Sequence, residues 1–186
     1  MILQVKKMHD GKGNEMIWLL EHNDIYTGGT SSKQSDLKNT NNIKISKTNR
    51  GGQWTWHGPG QRIVYFVLDL NMRNKDLRWF VNKLEQLIIN TLLDFNINSK
   101  RREGLPGVWV QNNNGINKIG AVGIRISKWI AYHGISININ PDLSKYEGII
   151  PCGVTDAGVT SAYDLGYSFS LKDFDNSLAL NFEKLF

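Results

Sequence analysis

One cysteine, four prolines and four histidines occur in 186 residues, and each shortage closes off a class of chemistry. A single thiol cannot form an intrachain disulfide, nor can it build the usual structural zinc site. His9, His22, His57 and His133 show no close ligand spacing, so no metal site is expected. No stretch approaches the ~20 apolar residues that span a bilayer. Met1-Ile2-Leu3-Gln4-Val5-Lys6-Lys7 lacks the basic region, apolar run and small-residue cleavage site of a secretory signal. These absences predict a cytoplasmic protein in reducing surroundings, with no membrane partner. No Gly-x-Ser-x-Gly elbow is present, and Gly58-Pro59-Gly60 is not followed by the lysine and hydroxyl residue that complete a phosphate-binding loop. Repeats are absent, and the only compositional bias is toward asparagine.

What is present fits one soluble domain over residues 1–186, with 40% hydrophobic and 10% aromatic residues, enough to bury a sizeable core. The 22 Lys and Arg exceed the 17 Asp and Glu, giving a net charge of +5 that suits an acidic partner. Lys100-Arg101-Arg102 is the one tight basic cluster, and with Glu103 after it we read it as a solvated loop. A docking helix or stacking motif for nucleic acid is missing, and the tryptophans sit in apolar strands and a helix stripe, where core packing explains them.

Met16–Leu20 is a short apolar run suited to a buried strand, and Gly28-Gly29 marks a turn after it. Residues 31–42 are polar and read as a loop. Ile43–Thr48 alternates as a half-buried strand would, and Ile63–Leu70 reads as a strand covered on both faces, so the glycine-rich stretch between them is a rigidly held loop. From Asp76 to about Ile97, Leu77, Phe80, Val81, Leu84, Leu87, Ile88, Thr91, Leu92 and Phe95 recur at helical spacing. Gly107–Gln111, Lys118–Ser127 and Trp129–Asn140 predict three neighbouring strands, joined by a hairpin turn at Asn112–Gly115 and a second joint around Ser127-Lys128. Ser170 is placed to cap a C-terminal helix whose stripe is Leu171, Phe174, Leu178, Phe182 and Leu185. The fold class is mixed α/β or α+β.

Cys152 lies in Ile149-Ile150-Pro151-Cys152-Gly153, between a proline and a glycine, away from any apolar stripe where a packing cysteine would sit. Its thiolate is the nucleophilic form, and with a free pKa of about 8.5 it needs a nearby base or cation. Lys118 opens the glycine-spaced apolar strand Lys118-Ile119-Gly120-Ala121-Val122-Gly123, where burial would favour the neutral amine. A strand-edge lysine reaching solvent is the alternative. His57 and His133, each beside a glycine, are further candidates, or else core histidines with satisfied ring nitrogens. A thiol together with Arg50-Gly51-Gly52-Gln53-Trp54-Thr55-Trp56-His57-Gly58-Pro59-Gly60-Gln61, a stretch that lets backbone approach a ligand, suggests acyl transfer.

That stretch, followed in order by Gly107-Val108-Trp109-Val110, Lys118 to Gly123, His133-Gly134 and Ile149 to Gly153, resembles the signature set of the lipoyl(octanoyl) transferases. Leu20-Glu21-His22 with Tyr26-Thr27 adds a sixth element, and the resemblance extends over nearly the whole chain. It implies the α/β fold shared with biotin and lipoate protein ligases, a mixed sheet with packing helices. It also implies transfer of an octanoyl group from acyl carrier protein to a lysine of lipoyl domains, in 2-oxoacid dehydrogenase acyltransferase subunits and in the glycine cleavage H protein. By the same resemblance Cys152 carries the acyl thioester and Lys118 activates it and shuttles the proton. The acyl-binding residues are Arg50, Gly51, Gly52, Gln53, Trp54, Thr55, Trp56 and His57, with Ala121, Val122, Gly123, Gly134, Ile135 and Ser136, walling a narrow apolar tunnel. No cofactor is implied, and a monomer is expected. The rival on the same fold is an ATP-dependent lipoate or biotin protein ligase, which would need no nucleophilic cysteine. Asn23-Asp24 stands where the family usually has two prolines, and Trp54 and Trp56 replace smaller or phenolic residues, which points to altered loop stiffness and pocket wall. Only about 20 residues precede Leu20-Glu21-His22, fewer than in relatives, so a shortened first element or a start further upstream is expected.

Overall fold

A computed structural model describes residues 1–112, 115–150 and 157–186. Along them the chain forms α1 (Ile2–His9), β1 (Met16–Leu20), β2 (Ile25–Gly28), β3 (Lys44–Lys47), β4 (Trp54–His57), β5 (Gln61–Asp69), α2 (Leu77–Asp94), β6 (Lys100–Arg102), β7 (Leu105–Asn112), β8 (Gly115–Ser127), β9 (Ile130–Asn138), β10 (Gly158–Val159) and α3 (Leu171–Leu185). The larger sheet has seven strands, ordered β1-β5-β9-β8-β7-β6, with β10 added in parallel to the first part of β8. The smaller is β3-β2-β4.

The long apolar strands sit at the centre of the larger sheet, as their sequences require. Val64, Phe66 and Leu68 of β5 point to one face and pack with Phe80, Leu84, Leu87, Ile88 and Leu92 of α2 and Phe174 and Leu178 of α3. Each such side chain removed from water contributes roughly 1.5–3 kcal/mol. Both helices start where capping chemistry dictates. Asp76 Oδ1 accepts from the backbone N–H of Arg78 (2.7 Å) and Trp79 (3.1 Å), and Ser170 Oγ accepts from that of Asp173 (3.1 Å). On the opposite face Val67 and Tyr132 meet Val5 of α1, while Tyr26, Trp54, Trp56, Tyr146 and Ile149 form a separate cluster under the small sheet.

Several expectations need correction. Trp54–His57 is a strand, antiparallel to β2, where the flanking glycines and proline suggested a loop; Ile25–Gly28 is likewise strand up to the first of the paired glycines. Lys100–Arg102 is an edge strand that pairs antiparallel with β7, and Arg101 reaches Glu85 of α2 from it (Nε to Oε2 3.1 Å). The β8–β9 turn is Lys128-Trp129, one residue beyond the expected joint. Ile45 on β3 is exposed, so that strand's apolar face does not reach the core, and Trp18 and Trp129 are partly exposed while Trp54, Trp56 and Trp109 are fully buried. The N-terminal helix α1, whose Val5 is buried, has no counterpart in the sequence reading. Asn112 and Gly115 pair across the expected hairpin, whose tip, residues 113 and 114, lies outside the described residues. No helix among the described residues is long and apolar enough to cross a membrane.

Candidate active site

The first part of β8 pairs with β7 and β10, and its second part, Gly120–Ser127, pairs with β9. Gly51 N–H donates to Ile124 O at 2.9 Å, so the glycine-rich segment lies along the edge that β7 leaves open. Arg50 folds this segment onto β2. Its Nη2 donates to Thr27 O (2.6 Å), Thr27 Oγ1 (2.9 Å) and Gln53 O (3.0 Å), and its Nη1 to Gly51 O (2.9 Å). Charge-assisted bonds of this kind are about twice as strong as neutral ones, so a side chain expected to line an acyl site also clamps the loop that forms it.

Between this loop and the sheet lies a cavity of about 290 Å³. Of the sequence-predicted binding residues, Arg50, Gly52, Gln53, Trp54, Thr55, His57, Ala121, Val122, Gly123, Gly134, Ile135 and Ser136 line it. Gly51 borders a neighbouring cleft of about 390 Å³ instead, and the Trp56 ring turns away to pack edge-on against Tyr146. Gly134 is required where β9 passes β5, since a Cβ there would strike the Val64 carbonyl. Met1, Thr27, Thr48, Ile63, Tyr65 and His133 also line the cavity. Ile63 and Tyr65 could have been found from the strand alternation of β5; Met1 could not, because only tertiary packing of α1 brings it there.

The imidazoles of this cavity are poor bases. Burial, reinforced by the Arg50 and His22 charges, holds His57 down to about 3 against the rise its Gln61 bond would give. Gln61 Oε1 accepts from His57 Nδ1 at 2.6 Å, and Gln61 Nε2 donates to Asn138 Oδ1 and the Tyr146 hydroxyl, both at 2.8 Å. Burial, then the Arg50 charge and the N-terminal ammonium, hold His133 down to about 4, and its Nε2 bonds Asn49 Oδ1 at 2.7 Å. Of the two roles open to these residues, each has the surroundings of a satisfied, neutral histidine. Burial also raises the Tyr65 phenol, which bonds His22 Nε2 at 2.7 Å.

Lys118 is buried, which removes the solvent-reaching alternative. The β7–β8 register slips between Val108↔Gly120 and Trp109↔Lys118, so Ile119 is an extra residue and the strand bends at the lysine. Lys118 Nζ donates to Pro106 O at 3.0 Å and stands 4.5 Å from the centre of the Trp109 ring. Gly107, at φ +118°, leaves room for it, because an added Cβ would lie 3.2 Å from Lys118 Cε. Lys118 borders a narrow gap shared with Thr55, Ala121 and Ser136, three residues that also line the 290 Å³ cavity. Cys152 lies outside the described residues. The flanking chain is placed: Ile150 N–H donates to Asp36 O (2.9 Å), and Gly158 and Val159 pair with Asn117 and Lys118. Glu85, which the sequence reading missed, is buried on α2 and accepts from Gly107 N–H at 2.8 Å.

Comparison with known proteins agrees with this architecture. Residues 3–183 match the lipoyl protein ligase A/B catalytic domain. An octanoyltransferase from Rhodospirillum rubrum is 46% identical over 184 residues, covering 98% of this chain and 85% of that protein. One from Bartonella quintana is 49% identical over 181 residues, covering 92% and 74%. Among solved structures, the bipartite lipoate protein ligase of Thermoplasma acidophilum superposes with a TM-score of 0.76 at 15% identity, over 98% of this chain and 76% of that one, a likeness of fold. With such identity over almost its full length, the chain belongs to the octanoyltransferase family of the lipoyl protein ligase A/B catalytic domain.

Proposed function

We propose that this chain, as one catalytic domain over residues 1–186, transfers an octanoyl group from octanoyl-acyl carrier protein to a lysine of lipoyl domains through a thioester on Cys152. The observation that carries the reading is the apolar cavity adjoining the buried amine of Lys118 through Thr55, Ala121 and Ser136. The acceptors are the lipoyl domains of 2-oxoacid dehydrogenase acyltransferase subunits and the glycine cleavage H protein, and the enzyme acts in the cytoplasm as a monomer.

In the first half-reaction Lys118 takes the thiol proton and the Cys152 thiolate attacks the donor thioester carbonyl. Backbone N–H groups of the glycine-rich segments are suited to hold the oxyanion. The carbon–sulfur bond to the carrier breaks, and the departing thiolate takes the proton back from Lys118. One thioester replaces another at little cost, so no ATP is consumed. In the second half-reaction a neutral substrate amine attacks the enzyme thioester, Lys118 accepts the amine proton, and the carbon–nitrogen bond forms as Cys152 leaves and is reprotonated. The product amide makes this step strongly downhill. With His57 and His133 depressed to about 3 and about 4, both imidazoles are weak proton acceptors.

Replacing Lys118 by Ala is expected to lower single-turnover acylation by roughly 10²–10⁴-fold, the usual worth of a positioned general base. Quenched-flow measurement with octanoyl-acyl carrier protein tests it, and a loss below threefold would remove Lys118 from the mechanism.

A further inference from the structure

We propose that Glu85 is a positioning residue for Lys118, acting through the backbone of Pro106 and Gly107; the inference rests on the role given to Lys118 above. Glu85 sits on the inner face of α2, one residue after Leu84 and three before Ile88, where an apolar side chain would be the default. It is a buried carboxylate with both oxygens engaged. Oε1 accepts the Gly107 N–H at 2.8 Å, and Oε2 receives Arg101 Nε at 3.1 Å. The carboxylate is buried while its Arg101 partner is 39% exposed, and a well-packed apolar residue of similar volume often serves as well as a buried charge, so stability alone is a weak reason for this arrangement.

What it holds is more telling. Gly107 N belongs to the peptide whose carbonyl is Pro106 O, the acceptor of Lys118 Nζ at 3.0 Å. One rigid peptide plane therefore carries Glu85 on its N–H side and Lys118 on its C=O side. Gly107, at φ +118°, is a position with little intrinsic preference of its own to resist rotation of that plane. The β7 strand is also displaced there by the register shift beside Val108, so regular ladder bonding does not fix the peptide. The Glu85 bond supplies the missing constraint, and it polarises the peptide so that the carbonyl is a better acceptor for the lysine. Arg101, held in turn by Asn82 O at 2.7 Å and Gln86 Oε1 at 3.0 Å, keeps the carboxylate oriented.

The test compares Glu85→Met, which fills the same volume without an acceptor, with Glu85→Gln, which keeps an oxygen for Gly107 N–H, each alone and combined with Lys118→Ala. Two rates are read: single-turnover acylation by octanoyl-acyl carrier protein, and alkylation of Cys152 by iodoacetamide across pH 6–9. Glu85→Met is expected to lower the acylation rate roughly ten- to hundredfold, the usual consequence of misplacing a reacting group, with KM for the carrier unchanged. Its alkylation pH profile should move in the direction that Lys118→Ala moves it. Glu85→Gln should recover most of the loss, and in the Lys118→Ala background Glu85→Met should add less than threefold. An undiminished loss in that background, or failure of Glu85→Gln to rescue, overturns the proposal while leaving Lys118 in place. Wild-type acylation by Lys118→Ala would instead remove the Lys118 reading, and this one with it. If Glu85→Met does not fold, Arg101→Met, which releases the carboxylate from its guanidinium, reads the same two rates: a loss confined to the Lys118 background supports the proposal, and none refutes it.

Discussion

Two buried imidazoles show how strongly this site disfavours a further positive charge beside Arg50. Neutral His57 and His133 suit the cavity to the apolar tail proposed for it, while the hydrogen bonds of Arg50 go to the loop backbone. The same depression makes stability depend on pH. In the unfolded chain these groups titrate near 6.5, whereas folded His57 does so at about 3 and folded His133 at about 4. The unfolded state therefore binds more protons between those values, so stability is full above pH 6.5 and declines as the pH falls through that window. For His57 the slope approaches about 1.4 kcal/mol per pH unit. Urea denaturation at pH 7 and pH 4.5 checks this, and His57→Gln is expected to flatten the dependence; an unchanged slope would show that the imidazole is not the group responsible. Lys118 was legible as a candidate because an amine opening an apolar strand is unusual, yet Glu85 was not. It reads as one more polar residue of an amphipathic helix until Gly107 is brought beside it by the sheet.

At the scale of elements, legibility followed the local strength of the pattern. β5, β8, β9, α2 and α3 carry long apolar runs; burial follows the helical spacing in α2 and α3, while β9 is buried on both faces throughout and β5 along most of its length. β4 was missed because four residues framed by glycines and a proline look like loop, and only pairing with β2 makes them strand. β6 was missed because its residues are basic and only pairing with β7 makes them strand. The β8–β9 turn carries a conflict of another kind. Lys128 (φ +48°) and Trp129 (φ +64°) both adopt the left-handed conformation that a two-residue hairpin turn demands, and neither is a residue type that adopts it readily. Lys128→Asn with Trp129→Gly is expected to stabilise the fold by about 1 kcal/mol, raising Tm by roughly 2–4 °C. Calorimetry measures this, and a lower Tm would mean that Trp129 contributes packing that outweighs its strain.

The whole molecule presents a net charge of +5 to its partners. The proposed partners, acyl carrier protein and lipoyl domains, are typically acidic, so a diffuse positive field would favour encounter with each in turn, without the ordered patch that nucleic acid would require. The second-order rate of acylation by octanoyl-acyl carrier protein should therefore fall several-fold between roughly 50 and 500 mM salt, while that by a small neutral octanoyl thioester should not. Equal salt dependence of both would place the effect on chemistry and not on encounter. Beneath all of this stands the proposed covalent step at Cys152, the single cysteine of the chain. Intact-protein mass spectrometry after mixing with octanoyl-acyl carrier protein, without ATP, tests it most directly. The account predicts one added octanoyl group, mapped to Cys152, released by hydroxylamine and absent from Cys152→Ala. An unmodified protein that transfers the acyl group only when ATP is supplied would contradict it.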